Sequence, residues 1–317
     1  MNISRRTFLA AATAAAGSAF ANPLAIDRPH RRHRSDYDGI QIGVITYSYR
    51  SMQMEPGCTL GHVLGSKLGT IELMNGDLER DVGAPHSDKL PWKLSKEEKA
   101  AITAWRKTAD MGKFREVGAK YRDAGVDVHI VKFGAIGELE DWETDYCFQA
   151  AQAVGARAIT REIPDPKKIA DWEARAKKLA TFTKKYGIKV AFHNHLQIDA
   201  KTYDGPLLGW DPNFMINFDI GHYTAANEDS GLDFVKKYHD RIFSIHVKDR
   251  TSKARGQQNL AFGQGDTPLT GLFDLLRAEK WDFPCDIELE YKIPEGSDAV
   301  KEVGICNAYC KERCLRA

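Results

Sequence analysis

Acidic and imidazole side chains recur at the ends of short apolar runs in the second half of the chain. These runs end Ile159-Thr160-Arg161-Glu162, Phe192-His193-Asn194-His195, Asn217-Phe218-Asp219, Ile245-His246-Val247-Lys248 and Ile287-Glu288-Leu289-Glu290. One such residue alone is usually structural or solvated. Several acids that meet in a buried site need a cation, because like charges repel there and desolvation is costly. The pattern therefore indicates a cation-binding site.

Three carboxylates and one imidazole form the candidate metal site. The candidate ligands are Glu162, Asp219, His246 and Glu288. This oxygen-rich set favours one divalent ion, Mn²⁺ or Mg²⁺, and it can also accept Co²⁺ or Zn²⁺. A structural zinc would more often recruit thiolates, and no Cys-x-x-Cys pair occurs. A divalent ion there would polarise a bound carbonyl group and stabilise negative charge on its oxygen.

Further polar side chains beside these strand ends are candidates for binding a substrate. They are His193, His195, His222, Lys248 and Arg250. His195 and Lys248 are the preferred contacts, with Lys248 binding a hydroxyl or stabilising the enediolate oxygen. The alternatives are a solvent-exposed lysine at a strand end and, for His222, a cap of the following loop.

These residues can meet only if the strands that carry them share one sheet. Apolar, β-rich runs alternate with helical patterns, which predicts a parallel sheet covered by helices. The predicted strands span residues 40–47, 69–74, 126–133, 157–162, 188–193, 214–219, 242–248 and 285–290. Eight such units predict an α/β fold, a single (β/α)8 TIM barrel over residues 39–317, with the strand ends converging on one face. A doubly wound open sheet is the alternative, but no Gly-rich loop follows the first strand.

Residues 75–110 form a charged segment longer than an ordinary loop. Its second half predicts a helix with Ser95 as N-cap and Glu98 at the capping-box position. We expect an insertion over the mouth of the barrel, with a lid as the hypothesis for its role.

The order of the strand-end motifs resembles the xylose-isomerase-like TIM-barrel superfamily, which includes the sugar phosphate isomerases/epimerases. The motifs include Gly43 to Arg50, Ile71-Glu72-Leu73, Thr160-Arg161-Glu162, His193-Asn194-His195, Asp219-Ile220-Gly221-His222, His246-Val247-Lys248-Asp249, Gly263-Gln264-Gly265-Asp266 and Ile287-Glu288-Leu289-Glu290. The resemblance implies that the four candidate ligands bind the metal. It also implies that Glu162 and Glu288 act as the catalytic, proton-transferring pair. Glu290 lies two residues beyond Glu288 and on the same face of a strand, so the choice between them as ligand stays open.

The N-terminus carries an export pattern. Residues 4–9 include Arg5 and Arg6 before an apolar stretch, and Ala19-Phe20-Ala21 offers a cleavage site. We therefore predict a twin-arginine signal peptide over residues 1–21, a polar linker over 22–38 and a periplasmic or otherwise exported enzyme. An uncleaved membrane anchor is the alternative, although the apolar stretch is short of the ~20 residues that a span needs.

Composition limits the expected partners. The chain of 317 residues has 45 basic and 44 acidic residues, so no general attraction to nucleic acid is expected. The expected partner is a small sugar or keto-sugar, without stable membrane insertion after signal cleavage, and a homo-oligomer is left open. The six cysteines include three spaced every fourth residue near the C-terminus, a pattern that favours buried thiols on a helix over disulfides.

Three functions compete at this point. The first is a metal-dependent isomerase or epimerase that removes a proton next to a sugar carbonyl. The second is a lyase or dehydratase acting on 3-keto sugars or 3-keto-glycosides, which an exported enzyme would meet more readily than sugar phosphates. The third is a non-catalytic sugar-binding barrel, which the full set of ligand types disfavours.

Overall fold

The computed structural model describes residues 34–52, 55–85, 89–90 and 93–315. Its central feature is a closed sheet of parallel strands. The strands are β1 Ile40–Ile45, β2 Thr70–Met74, β3 Asp127–Lys132, β4 Ala158–Glu162, β5 Lys189–His193, β6 Phe214–Asp219, β7 Ile242–Val247 and β8 Cys285–Ile287. Each strand pairs with the next, and β8 pairs in turn with β1, where Cys285 lies opposite Ile42. This closure confirms the predicted single TIM barrel and excludes the open sheet.

Helices cover the outside of the barrel. They are α1 Cys58–Gly65, α2 Asn75–Asp81, α3 Lys96–Arg106, α4 Met111–Asp123, α5 Asp141–Val154, α6 Glu173–Tyr186, α7 Ile220–Ala226, α8 Leu232–Tyr238, α9 Leu269–Glu279 and α10 Ala299–Cys314. Short strands at Asp36–Tyr37, Asp249–Arg250 and Asn259–Leu260 lie outside the parallel ladder. None of the helices in the described part of the chain is long and apolar enough to cross a bilayer.

The first and last strands are shorter than predicted, and Ser48 connects the segments that follow them. Residues Thr46–Tyr49 form a 3₁₀ turn directly after β1. Within that turn, the Ser48 hydroxyl donates to the carbonyl of Ile287 at 3.1 Å and accepts from the amide of Leu289 at 3.0 Å. A side chain thus replaces the backbone pairing with β1 after Ile287, while the amide of Glu288 still donates to the carbonyl of Val247 in β7 at 3.0 Å.

The insertion over residues 75–110 contains two helices. The predicted one is α3, which begins at a complete capping box between Ser95 and Glu98. The other, α2, was not predicted and follows β2 without a loop. Arg106 near the end of α3 pairs with Glu79 of α2 at 2.7 Å and with Glu143 of α5 at 2.8 Å. These ion pairs fix α3 against the body of the barrel.

The C-terminal cysteines behave as predicted. Cys306, Cys310 and Cys314 lie on α10 as buried free thiols, and burial raises the pKa of the Cys310 thiol well above its ordinary value. The predicted signal peptide lies outside the described residues, as does the linker up to residue 33.

Candidate metal centre and catalytic site

Three of the four predicted ligands converge at the carboxyl ends of the strands. Asp219 ends β6, His246 lies on β7 and Glu288 follows β8, and together with His193 at the end of β5 they form a group that we call the central cluster. Each offers one ligand atom, and these atoms lie within 4.8 Å of one another. All four residues are buried. Buried acidic and imidazole groups at this position can therefore bind a metal ion.

Glu162 reaches the same mouth but stands outside the central cluster. Its Oε1 pairs with the ammonium of Lys132 at 2.8 Å, and its Oε2 lies 3.7 Å from Nε2 of His195. The side chain is 34% exposed, unlike those of the cluster. Lys132 was not predicted as a site residue, although it is a cation at the end of β3.

Lys248 is buried in the centre of the site. Its ammonium lies 3.0 Å from Oδ2 of Asp219 and 2.7 Å from Oε2 of both Glu288 and Glu290. The Nε2 atom of His222 lies at 3.0 Å from the same ammonium. Only 2% of the lysine side chain is exposed, so it is not the solvent-exposed residue considered as an alternative.

The surroundings of this ammonium fit a divalent cation. An ammonium has three N–H groups to donate, whereas four polar atoms lie within about 3 Å of it here. Oδ2 of Asp219 is buried and has no well-directed hydrogen bond among the described residues, despite its short distance to Lys248. His222 is not a free acceptor there, because its Nδ1 accepts from Arg250 and its Nε2 therefore carries the ring proton. Three carboxylate oxygens around one ammonium suit a metal ion with several ligands.

The carboxylate of Glu72 contacts one ring nitrogen of His246. Oε2 of Glu72 lies 2.8 Å from Nε2 of His246, whose Nδ1 faces Oε2 of Glu288 at 3.1 Å and Oδ2 of Asp219 at 3.9 Å. Burial lowers the pKa of His246, but the two glutamates outweigh it and raise that pKa to about 10. The sequence signal for this role was an acid in the middle of the otherwise apolar strand β2. A carboxylate on the far nitrogen is the usual way to orient a metal-binding histidine.

Replacing Glu72 by glutamine is expected to weaken Mn²⁺ binding by about 10- to 100-fold, the usual effect of losing such a carboxylate. Isothermal titration of the purified protein with Mn²⁺ measures it. Glu295→Gln, at an exposed position, is the matched control and should bind as the unchanged protein does. Equal affinities for the two variants would show that Glu72 does not orient a ligand.

His193 presents a free nitrogen to the central cluster. The side-chain NH₂ group of Asn217 donates to Glu72 at 2.9 Å, which identifies the other amide atom as the oxygen. This oxygen lies 2.7 Å from Nδ1 of His193. That nitrogen must carry the proton, because an amide oxygen only accepts. Burial, with the nearby cations Lys132 and His246, holds the pKa of His193 well below its usual value. The neutral ring thus keeps an unprotonated Nε2 as a ligand atom.

Asp219 is fixed by the residues on both sides of it. Asn194 accepts from its amide at 2.9 Å and donates to its carbonyl at 3.1 Å. Oδ1 of Asp219 caps α7 by accepting from the backbone amide of His222 at 2.6 Å. Burial raises the pKa of Asp219 to about 7, and Lys248 opposes that rise.

Metal affinity is expected to increase with pH. A bound cation requires Asp219 ionised and His246 without its Nδ1 proton, while their pKa values lie at about 7 and about 10. Binding near neutral pH therefore releases at least one proton, and the Mn²⁺ affinity should rise about tenfold per pH unit. Titration calorimetry in buffers of different ionisation enthalpy counts the protons. An affinity that does not change between about pH 6.5 and about pH 7.5 would contradict this reading.

The remaining predicted contacts line the rim of the site. His195 is exposed and stacks edge-on against His222, with ring centroids 4.9 Å apart. Arg250 donates to Nδ1 of His222 and, at 2.6 Å, to the carbonyl of Gln257. The structure thus places His195 where a substrate can reach it, whereas Arg250 orients His222.

Comparison with known proteins gives the family and the fold. The chain matches the family described as Xylose isomerase-like TIM barrel over residues 106–307. Solved structures with the same fold include a probable 3-DHS dehydratase from Bacillus anthracis, 12% identical, with a TM-score of 0.62 over 85% of this chain and 98% of that one. An L-ribulose 3-epimerase is 14% identical, with a TM-score of 0.59 over 87% of this chain and 94% of that one. A sugar phosphate isomerase/epimerase from Parabacteroides distasonis is 14% identical, with a TM-score of 0.57 over 86% and 94%. No curated protein matched the sequence significantly.

Proposed function

Because this chain belongs to the xylose isomerase-like TIM barrel family, we propose that it is a metal-dependent sugar isomerase or epimerase. The observation that carries the proposal is the buried convergence of Asp219, His246 and Glu288 on one cation position. Neighbours with this fold include an L-ribulose 3-epimerase and a sugar phosphate isomerase/epimerase, which supports a sugar as substrate.

Asp219, His246 and Glu288 would hold one divalent ion, with His193 or Glu162 as the fourth ligand. Mn²⁺ or Mg²⁺ is favoured and Co²⁺ or Zn²⁺ are alternatives, given the mixed oxygen and nitrogen donors. When bound, the ion supplies positive charge that polarises the sugar carbonyl and stabilises an enediolate.

Glu288 and Glu162 are the proposed proton-transferring pair. Both carboxylates act electrostatically on the charges of Lys132 and His195, which supports assigning the two acids to one site. One carboxylate takes the proton from the carbon next to the carbonyl, and the other returns a proton to the opposite face or the neighbouring carbon. Glu162 is half-exposed and Glu288 is buried, so the two acids approach that space from different depths.

His195 and Lys248 would bind the sugar oxygens. His195 is exposed at the mouth, and burial lowers its pKa so that the ring is neutral near pH 7. Lys248 keeps its charge, because three carboxylates outweigh the effect of burial and raise its pKa. Its ammonium can stabilise negative charge that develops on the substrate oxygen.

Deuterium wash-in tests the proposal. The Mn²⁺-loaded protein in heavy water is expected to exchange the hydrogen next to the carbonyl in at least one member of a panel of keto-sugars. Removal of metal by a chelator should abolish the exchange, and added Mn²⁺ should restore it. Undiminished exchange after chelation would overturn the metal-dependent mechanism.

A lyase acting on 3-keto-glycosides is the second candidate, and an apolar cavity beside the site favours it. The same base would take the C2 proton, the electron pair would form a C1=C2 bond, and the C1–O bond would break. The leaving oxygen would take a proton from the second carboxyl group. Release of an aglycone from a 3-keto-glycoside distinguishes the lyase reaction from epimerisation.

We also propose that the enzyme acts after twin-arginine export, as the Arg5-Arg6 pattern suggests.

A further inference from the structure

A cavity of about 450 Å³ lies beneath α3, next to the ends of β1, β2 and β3. This volume is typical of sites for drug-sized ligands and leaves room for more than a single sugar ring. One side of the cavity is apolar. The apolar lining comprises Met74, Ala84, Leu94, Ile102, Phe133 and Leu139.

The buried charges in the wall are paired with each other. Arg80 pairs with Asp77 at 2.7 Å, and Arg106 bridges Glu79 and Glu143. Since each of these buried cations already has a carboxylate partner, none of them is left for a phosphate group. Three further cations line the cavity: Arg50 donates to the carbonyls of Tyr47 and Leu289, Lys89 pairs with Glu98, and Lys99 is exposed. The buried part of the wall therefore favours an uncharged substituent.

The cavity adjoins the proposed catalytic acids. Arg50 lines it and donates to the carbonyl of Leu289, between Glu288 and Glu290, at 2.6 Å. The guanidinium carbon of Arg50 lies 4.2 Å from the centre of the Tyr47 ring, which also lines the cavity. Burial raises the pKa of Tyr47, Arg50 opposes that rise, and the carboxylates of Glu290 and Glu288 add to it.

We propose that this cavity binds an uncharged apolar substituent of the substrate, such as the aryl aglycone of a glycoside. The sugar ring then lies at the central cluster, so that part of the inference rests on the proposed function. The apolar wall encloses the substituent, and burial of its surface supplies the affinity. The substrate class is thereby narrowed from free keto-sugars to keto-glycosides with an apolar aglycone, which keep the carbonyl that the proposed reaction needs.

Calorimetry with matched glycosides tests the cavity. The Mn²⁺-loaded full chain is titrated with methyl and phenyl glycosides of a panel of hexoses, and the two affinities are compared within each pair. For at least one sugar, the phenyl glycoside is expected to bind about tenfold more tightly or better, because only its ring enters the apolar cavity. Hexose 6-phosphates serve as the charged comparison.

Cavity-filling variants locate the effect. Ile102→Trp and Leu139→Trp should bring the phenyl-to-methyl ratio close to one, whereas Ile305→Trp, on the exposed face of α10, should keep it. Thermal unfolding verifies that each variant is folded. Equal binding of the two glycosides by the unchanged protein, no binding of any phenyl glycoside, or tighter binding of the phosphates would each overturn the inference.

The result of the glycoside-binding experiment does not depend on catalysis. A phenyl preference that Ile102→Trp abolishes supports the cavity site even if no deuterium exchange occurs, in which case only the proposed reaction fails. Deuterium exchange without any phenyl preference leaves the reaction standing and removes the aglycone site.

Discussion

Replacing Glu288 by glutamine is expected to lower the rate of deuterium exchange into the substrate by about 10³-fold or more. A positioned carboxylate base contributes about 10²- to 10⁴-fold by itself, and glutamine cannot accept the substrate proton. Although burial raises the pKa of Glu288, Lys248 and His246 hold that pKa well below its usual range, so the carboxylate is ionised. The substitution therefore also weakens metal binding, because a neutral amide replaces a negative charge. The glutamine oxygen can still accept from Lys248, so we expect the barrel to fold.

Glu290→Gln is the matched control, two residues further along. Glu290 contacts the same ammonium at 2.7 Å but is not part of the central cluster. Its loss is expected to reduce exchange by less than about tenfold, since it removes one ion-pair partner and no base. Exchange measured at saturating Mn²⁺ separates a loss of chemistry from a loss of metal. If Glu290→Gln proved the more damaging change, the roles assigned to the two acids would have to be reversed.

The fold was largely predictable because local patterns determine most of it. Strand β6 was predicted with its observed bounds Phe214–Asp219. The errors lie where tertiary contacts replace local rules. Beyond Ile287 the pairing of β8 with β1 stops, because Ser48, some 240 positions earlier in the chain, takes over these hydrogen bonds. No pattern within residues 285–290 carries that information.

The site was predictable in its residue types and less so in its pairings. Asp219, His246 and Glu288 converge, but His193 joins their cluster, while Glu162 pairs with Lys132. The tilt of the strands and the closure of the barrel decide which strand ends are neighbours, and the sequence spacing does not show either. Glu72 was missed for a similar reason, because it meets His246 across the barrel interior from the opposite side.

The role of Lys248 leads to the second large expected effect. Lys248→Met would leave Asp219, Glu288 and Glu290 close together without the cation that now lies between them. We expect the metal-free protein to lose about 3 kcal/mol of its free energy of unfolding, because a buried charge without a partner is costly. Chemical denaturation of the chelated protein measures the loss. Lys237→Met removes a half-exposed partner of Asp204 and should leave the free energy of unfolding nearly unchanged.

The pH dependence and the response to metal identify the cause. Without the ammonium, the folded-state pKa of Asp219, already raised by burial, rises further, and that of Glu288 rises from its lowered value. The loss of stability should therefore grow as pH rises from about 5 to about 8. Mn²⁺ should restore more stability to Lys248→Met than to the unchanged protein, since the ion no longer competes with an ammonium for the same carboxylates. Lys248 also packs against Gly221 so closely that a Cβ atom added to this glycine would lie 2.3 Å from Cγ of Lys248. A loss of stability that is independent of pH and insensitive to Mn²⁺ would indicate that Lys248 acts through this packing. The predicted response instead requires that lysine and metal satisfy the same buried negative charge.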